Sequence, residues 1–195
     1  MMQRTVTIFG SSRPREGEPE YEEARTLGRL LAEQNFKICN GGYGGTMEAA
    51  ARGAKEWNPS ALTIGVVLDP GFGGAKANAY TTQIIVAHSL LGRLETLIRL
   101  GDAYVVLKGG TGTLVELSTV WEYMNKHIME QKPFFVLGSF WRPVIHVMRE
   151  ELIYEGRIRA AKLPVEVQTP EEIVKDLLKF FYKPDPPQAD RSALH

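Results

Sequence analysis

The sequence predicts an α/β fold in which one doubly wound parallel sheet is flanked by helices. Two observations lead to this prediction. Short apolar runs alternate with helical segments along most of the chain, and glycine-rich turns follow several of the apolar runs. With 195 residues and 44% hydrophobic composition, the chain can bury the core of one domain. We expect that domain to span residues 1–182, followed by a flexible tail at 183–195 that contains three prolines.

Six strands are predicted from short runs rich in Val, Ile, Leu and Phe, the composition that parallel strands buried on both faces require. In chain order they are Val6 to Phe9, Lys37 to Cys39, Thr63 to Leu68, Gln83 to Val86, Ala103 to Leu107 and Phe134 to Leu137.

Helices are predicted between these strands. Ala24, Leu27, Leu30 and Leu31 recur at the three-and-four spacing of a helix with one buried face. A later helix carries an apolar face of Leu117, Val120, Trp121 and Met124, which we assign mainly to the core. The predicted helices are Tyr21 to Gln34, Thr46 to Glu56, Ser89 to Leu100, Thr113 to Met129, Pro143 to Leu152 and Pro170 to Phe181.

The most informative segment is 102–116, where an apolar strand runs through a glycine hinge into a helix. Glycines let the backbone approach a ligand closely, and the free N–H groups of the next helix attract phosphate. Glu116, predicted in the first turn, would then lie beside the bound group. Thr113 and Glu116 equally match a capping box that satisfies only backbone donors. The predicted cradle is Gly109, Gly110, Thr111, Gly112 and Thr113.

Two other turns follow predicted strands and would meet this one at the carboxyl edge of a parallel sheet. For Ser11 and Ser12, in the turn after the first strand, ordinary turn chemistry is as good an explanation as ligand contact. Neither the glycine stretch at 41–45 nor the one at 109–112 has the Gly-x-Gly-x-x-Gly or Gly-Lys-Ser/Thr pattern, which argues against NAD binding and ATP hydrolysis. The candidate ligand-binding residues here are Gly10, Ser11, Ser12, Gly42, Gly45 and Thr46.

A long glycine-containing loop, 69–78, follows the third strand and is either a cover for a ligand or a mobile surface loop. Arg93 lies on the mostly apolar helix 89–100. An arginine is usually solvated there, but a position near the ligand edge of the sheet would turn it inward.

Composition excludes several classes of function. The 23 basic and 23 acidic residues cancel, so no charge pattern indicates nucleic acid or membrane binding. The single cysteine, Cys39, is predicted in the core, and four scattered histidines show no metal-ligand spacing. We therefore expect the protein to bind no metal. We also expect it to be cytoplasmic, because no signal peptide or transmembrane-length apolar run is present.

The segment Lys108-Gly-Gly-Thr-Gly-Thr-Leu-Val-Glu116 resembles the Pro-Gly-Gly-x-Gly-Thr-x-x-Glu signature of the LONELY GUY (LOG) family, long mislabelled "lysine decarboxylases". Gly10-Ser11-Ser12, the turn at 41–47 and Arg93, nine residues before Asp102, fit the same pattern. The resemblance covers roughly residues 4–180 and implies a Rossmann-like fold. Characterised members hydrolyse nucleoside 5′-monophosphates, including cytokinin ribotides, to free base and ribose 5-phosphate.

The resemblance implies that Glu116 and Arg93 are the catalytic pair, that 109–113 hold the phosphate, that no cofactor is used, and that the protein forms a homodimer or a higher oligomer. A nearby cation such as Arg93 is expected to keep Glu116 ionised. Lys108 and Leu94 depart from the family, which has proline and, in the cytokinin-activating enzymes, lysine there. The alternative is a carrier that binds a nucleotide or the molybdenum cofactor, a phosphorylated pterin, without turnover. Lysine decarboxylation is disfavoured because no lysine has a convincing context for pyridoxal phosphate.

Overall fold

The computed structural model describes residues 3–182, and the predicted tail at 183–195 lies outside them. Seven parallel strands form one sheet in the order β4-β3-β2-β1-β5-β6-β7. The predicted doubly wound parallel sheet is therefore confirmed. The strands are β1 (Thr5–Phe9), β2 (Lys37–Asn40), β3 (Thr63–Leu68), β4 (Gln83–Ala87), β5 (Ala103–Val106), β6 (Phe134–Leu137) and β7 (Val165–Val167).

Seven α-helices connect or follow the strands, with a short 3₁₀ turn at Pro70–Phe72. They are α1 (Pro19–Glu33), α2 (Thr46–Trp57), α3 (Leu90–Leu100), α4 (Thr111–Asn125), α5 (Arg142–Tyr154), α6 (Ile158–Ala161) and α7 (Pro170–Phe181). None of the helices within residues 3–182 combines the length and apolarity that a membrane span needs.

Two hydrophobic clusters fill the two faces of the sheet. Leu27 of α1, Ala50 of α2 and Ile173 of α7 belong to one cluster. Leu97 of α3 and Leu117 of α4 belong to the other, together with residues of α5 and α6. Alternate side chains of each central strand enter opposite clusters, which explains why these strands are apolar throughout.

The sole cysteine lies in the second cluster. Cys39 of β2 is fully buried, as the sequence predicts. Burial raises the pKa of its thiol to about 12. This cysteine is therefore a core residue.

Helices α1 and α2 pack with their backbones almost touching. A Cβ atom on Gly28 would overlap the backbone carbonyl of Ala50, and one on Gly53 would overlap that of Arg25. Only glycine permits this approach. The close contact fixes the relative position of two helices whose preceding loops both reach the ligand edge of the sheet.

Several predicted elements need correction. β4 was expected to be buried, but it is an edge strand with Ile84 and Val86 about half exposed. The strand Val165–Val167 and the helix Ile158–Ala161 were not predicted, because three or four residues are too few to show a period. Helix α1 begins at Pro19, two residues earlier than predicted, since proline fits the first helical turn.

The strand order reverses around β1, which lies between β2 and β5. In an open parallel sheet, the loops leaving two such strands separate to opposite faces and leave a crevice at their carboxyl ends. The three glycine-containing turns all occur at this edge, after β1, β2 and β5. The topology therefore brings together three segments that are far apart in the sequence.

Candidate functional site

A cleft of about 830 Å³ lies at this edge of the sheet. It falls within the usual size range of small-molecule sites. Its wall contains eight of the candidate residues, namely Gly10, Ser11, Ser12, Gly109, Gly110, Thr111, Gly112 and Thr113, together with Arg93 and Glu116. The same wall contains Arg13, Pro14, Glu18, Glu20, Tyr43, Met47 and Lys108.

The start of α4 differs from the capping-box alternative. The helix begins at Thr111 with Gly110 as its N-cap, and no side chain caps it. Thr113 is therefore inside the first turn, and Glu116 is in the second turn instead of the first. The capping-box interpretation is wrong, because the box requires Thr113 itself to stand at the N-cap.

The first backbone donors of α4 are open to the cleft. Leu114 N–H bonds to the carbonyl of Gly110, whereas the N–H groups of Thr111, Gly112 and Thr113 make no hydrogen bond within the part of the chain that the structure describes. Unpaired N–H groups at a helix start, reinforced by the helix dipole, form a site for an anion.

The glycines of this turn have different surroundings. A Cβ on Gly109 would collide with the side chain of Thr113, so the fold itself requires glycine there. At Gly110 and Gly112, no atom of the described residues lies within 4 Å of the position that a Cβ would take, apart from the adjoining residues and, for Gly112, its own helix backbone. Neither has the left-handed backbone that favours glycine. Packing against the described protein therefore gives no reason for these two glycines, and both face the cleft.

Glu116 is partly buried in the wall of the same cleft. Burial raises the pKa of its carboxyl group to about 7, while the positive charge of Arg93 acts in the opposite direction. The sequence-based expectation that Arg93 keeps this carboxylate ionised is wrong for the net pKa, because desolvation raises the pKa by more than Arg93 lowers it. Close to neutral pH, Glu116 can exchange a proton in either direction.

Arg93 of α3 is turned inward, away from solvent. Its Nε donates to the carbonyl of Val66 at 2.7 Å, and its Nη2 donates to the carbonyl of Gly41 at 3.2 Å. The guanidinium also lies 5.2 Å from the ring centroid of Tyr43. These contacts with β3 and with the turn after β2 hold a cation at the edge of the cleft.

Gly41 is needed for this placement. A Cβ at this position would overlap Nη2 of Arg93 and come within 2.7 Å of Sδ of Met47. Glycine here makes room for the guanidinium.

The other candidates of the β2–α2 turn do not line the main cleft. Gly42 adopts φ +75° and packs against β3, and Gly45, the N-cap of α2, adopts φ +68° against the carbonyl of Ser11. Thr46 donates through both its backbone N–H and its hydroxyl to that same carbonyl of Ser11. Gly45 and Thr46 thus join the β1 and β2 turns, whereas Gly42 contacts β3, so the contribution of all three residues to the cleft is indirect.

The β1–α1 turn shows ordinary turn chemistry and also lines the cleft, so ligand contact by its serines stays a prediction. The hydroxyl of Ser11 accepts a hydrogen bond from the backbone N–H of Arg13, which is ordinary turn chemistry. Gly10, Ser11 and Ser12 also line the cleft. A Cβ at Gly10 would meet the hydroxyl of Thr46, so the turn is packed closely against α2.

The loop 69–78 is attached to the β2–α2 turn at its far end. Asn78 donates through its side chain to the carbonyls of Gly42 and Tyr43, and through its backbone to Gly42. None of residues 69–78 lines the main cleft. The loop thus supports the turn that holds Tyr43 and Arg93.

Sequence reasoning missed part of the site. Tyr43 lies between two glycine pairs, and this interruption of a small-residue turn by an aromatic residue was the available signal. Glu18 and Glu20 gave no signal, because charged residues near the start of a helix are common. Arg13, by contrast, was predicted from the Gly10-Ser11-Ser12-Arg13 turn as a contact for phosphate or ribose, and it lines the cleft. Among residues 3–182, no three His, Cys, Asp or Glu side chains gather in a way that would hold a metal ion.

Comparison with known proteins indicates the family. The family model described as LDcluster4, the SLOG cluster4 family, matches residues 3–163. A cytokinin riboside 5′-monophosphate phosphoribohydrolase of Rhodococcoides fascians is 28% identical over 165 residues, which cover 81% of this chain and 80% of that protein. A pyrimidine/purine nucleotide 5′-monophosphate nucleosidase of Escherichia coli K12 is 29% identical over 105 residues, or 51% of this chain and 23% of that protein.

Solved structures show the same fold. The molybdenum cofactor binding protein of Rippkaea orientalis superposes with a TM-score of 0.69 at 22% identity, covering 92% of this chain and 98% of that one. At this identity the match speaks for the architecture alone.

Proposed function

Because this chain belongs to the SLOG cluster4 family, we propose that it hydrolyses the N-glycosidic bond of nucleoside 5′-monophosphates, giving free base and ribose 5-phosphate. Relatives named as nucleotide phosphoribohydrolases and nucleosidases support this activity at the level of the family. Their identities of 28% and 29% leave the preferred base open.

One observation carries the proposal: the open start of α4 and the carboxyl group of Glu116 belong to one cleft and to one helix. Glu116 follows Thr113, the last open donor, by three residues, slightly less than one helical turn of about 3.6 residues. A phosphate on the helix start and the sugar that carries it would therefore lie beside the carboxyl group. A non-catalytic phosphate site has no need for a buried carboxyl group there.

The chemistry needs a base with a pKa near neutrality. Water attacks the anomeric carbon, its proton passes to the carboxylate of Glu116, and the C–N bond breaks with its electron pair going to the nucleobase. The departing base takes up a proton from solvent, and Glu116 then releases the proton that it received, which restores the carboxylate. Positive charge develops on the ribose during bond cleavage, and the carboxylate also stabilises that charge.

Arg93 would hold the substrate close to Glu116. Its Nε and Nη2 bind backbone carbonyls, which leaves Nη1 with no hydrogen bond to the described residues. This nitrogen is available to a ribose hydroxyl or phosphate oxygen. Because the guanidinium is fixed before substrate arrives, little ordering is required on binding.

The test is base release from a panel of nucleoside 5′-monophosphates, with and without an N6 side chain, followed by chromatography of free base and ribose 5-phosphate. We expect release by the wild-type protein and a loss of about 10²-fold to 10⁴-fold in Glu116→Gln, the range for removal of a general base. Glu95→Gln, on the exposed side of α3, is the matched control and should retain activity.

A binding protein of the same fold is the alternative outcome. If no nucleotide of the panel releases base while nucleotides or phosphorylated pterins still bind, the hydrolase proposal is wrong for this panel. The cleft would then act as a carrier site for a small phosphorylated ligand. Unchanged base release in Glu116→Gln would equally contradict the assignment of the carboxyl group.

A further inference from the structure

The cleft contains a second cation that the proposed hydrolysis does not use. Lys108 stands directly before the glycine turn, at the position where the LOG signature has proline, and its side chain is 53% exposed. Its Nζ lies 2.6 Å from Oε1 of Glu20 and 5.8 Å from the ring centroid of Phe140. The lysine and Glu20 both line the cleft.

The contacts of this cation and of Arg93 lie on different strands of the sheet. Arg93 is bound to carbonyls of β3 and of the turn after β2, whereas Phe140 follows β6. From β2 to β6 the sheet advances by three strand spacings, about 14 Å. The open start of α4 follows β5, which lies between β2 and β6 in the sheet. Because the ring nearest to the Nζ of Lys108 belongs to the loop after β6, whereas Arg93 contacts β3 and the turn after β2, we infer that an anion at Lys108 lies farther from Arg93 than the cradle does.

Glu20 acts as an internal counterion for this lysine. The hydrogen bond from Lys108 lowers the pKa of the Glu20 carboxyl group, so the pair is formed at neutral pH. The pair joins the start of α1 to the loop after β5 and is partly exposed, with Glu20 32% accessible. Exposed ion pairs are weak, so a ligand anion can replace the carboxylate at little cost.

We propose that Lys108 forms a second anion position in the cleft, which takes the terminal phosphate of a nucleoside 5′-diphosphate. The assignment rests on the proposed function, in that it assumes a nucleotide 5′-phosphate on the start of α4. With the 5′-phosphate in the cradle, the terminal phosphate of a 5′-diphosphate would then lie toward Lys108. A 3′-phosphate on the ribose would instead lie toward Arg93.

The test compares AMP, ADP and adenosine 3′,5′-bisphosphate by isothermal titration, in the Glu116→Gln protein so that ligands stay intact. We expect ADP to bind about tenfold more tightly than AMP, the gain of one charge-assisted contact. Lys108→Met should remove this preference and leave AMP affinity within about twofold. Glu20→Gln should increase the preference for ADP, because it releases the lysine.

Lys126→Met, on the exposed end of α4, is the matched control and should preserve the ADP preference. The inference is overturned if Lys108→Met weakens AMP and ADP equally, or if the 3′,5′-bisphosphate is the ligand that depends on the lysine. Base release from monophosphates is measured separately. A protein that hydrolyses AMP and shows no preference for ADP would therefore retain the proposed function and lose only this inference.

Discussion

At the scale of single residues, Glu116 combines two opposed properties. Its burial raises the carboxyl pKa to about 7, which suits proton transfer, yet the same burial disfavours the charged form that a base needs. The folded protein therefore retains the proton to higher pH than the unfolded chain does. A group of this kind lowers stability where it is ionised, a trade-off common at functional sites.

This residue should make stability depend on pH in a defined window. The unfolded carboxyl group titrates near 4.5 and the folded one near 7, so the contribution of Glu116 to stability falls as pH rises between these values. We expect Glu116→Gln to unfold like wild type at pH 4 and to be more stable by about 1–3 kcal/mol at pH 8. Thermal denaturation at both pH values measures the difference. A Gln variant that is less stable at pH 8 would contradict the burial argument.

Gly41 gives a second residue-scale prediction. Because a methyl group there would displace the guanidinium of Arg93, Gly41→Ala should lower base release by about 10-fold to 100-fold, the effect of a misplaced positioning group. Gly44→Ala, in the same turn, would make only ordinary contacts and should remain active. Comparable losses in the two variants would mean that the turn as a whole, and not the placement of Arg93, sets the rate.

At the scale of elements, a glycine at the start of α4 is expected to affect stability and ligand binding in different ways. Gly112 lies in the first helical turn and a Cβ would meet no protein atom, so the fold does not require glycine. Alanine favours a helix over glycine by up to about 1 kcal/mol. Stability and ligand affinity should therefore respond in opposite directions to the same substitution.

We expect Gly112→Ala to raise the free energy of unfolding by about 0.5–1 kcal/mol and to weaken nucleotide monophosphate binding by at least about tenfold, because the methyl group occupies the approach to the open N–H groups. Denaturant unfolding and calorimetric titration measure the two effects. Undiminished affinity would place the phosphate elsewhere in the cleft.

The elements also show what sequence patterns can predict. β3 and β6 have the predicted bounds because continuous apolar runs are bounded by polar or turn residues. The Thr-x-x-Glu pattern misled for α4, because a local spacing match carries no information about where the chain enters the helix. The Lys108–Glu20 pair joins residues 88 positions apart, and only the folded topology brings them together.

At the scale of the whole molecule, the candidate site residues could be predicted from the sequence, whereas their contacts and pKa values depend on the tertiary fold. The glycine turn and Glu116 were identifiable from one segment. The raised pKa of Glu116 could not be predicted from that segment, because burial of the carboxyl group depends on the tertiary fold. Likewise, Arg93 was noticed from its apolar neighbours, whereas its two carbonyl acceptors come from elements up to 52 residues away.

The resemblance also predicts a homodimer or higher oligomer, which stays a prediction. Leu90 and Leu91 open the helix that carries Arg93, yet they are 68% and 76% exposed in the single chain. A subunit contact at this end of α3 would remove both side chains from water. We expect sedimentation to give at least twice the chain mass of 21.8 kDa, and Leu91→Asp to shift the population to monomer. A wild-type monomer at micromolar concentration would contradict the prediction.

The thiol of the single cysteine, in β2, can be used to measure how often the protein opens. Cys39 is fully buried, its pKa is raised to about 12, and Asn40, which follows it, supports the turn that accepts Arg93. An alkylating reagent reacts with thiolates, so the native state is chemically silent and modification counts only molecules that have opened. A nucleotide that binds the cleft should therefore slow the alkylation of a sulfur atom that it never touches.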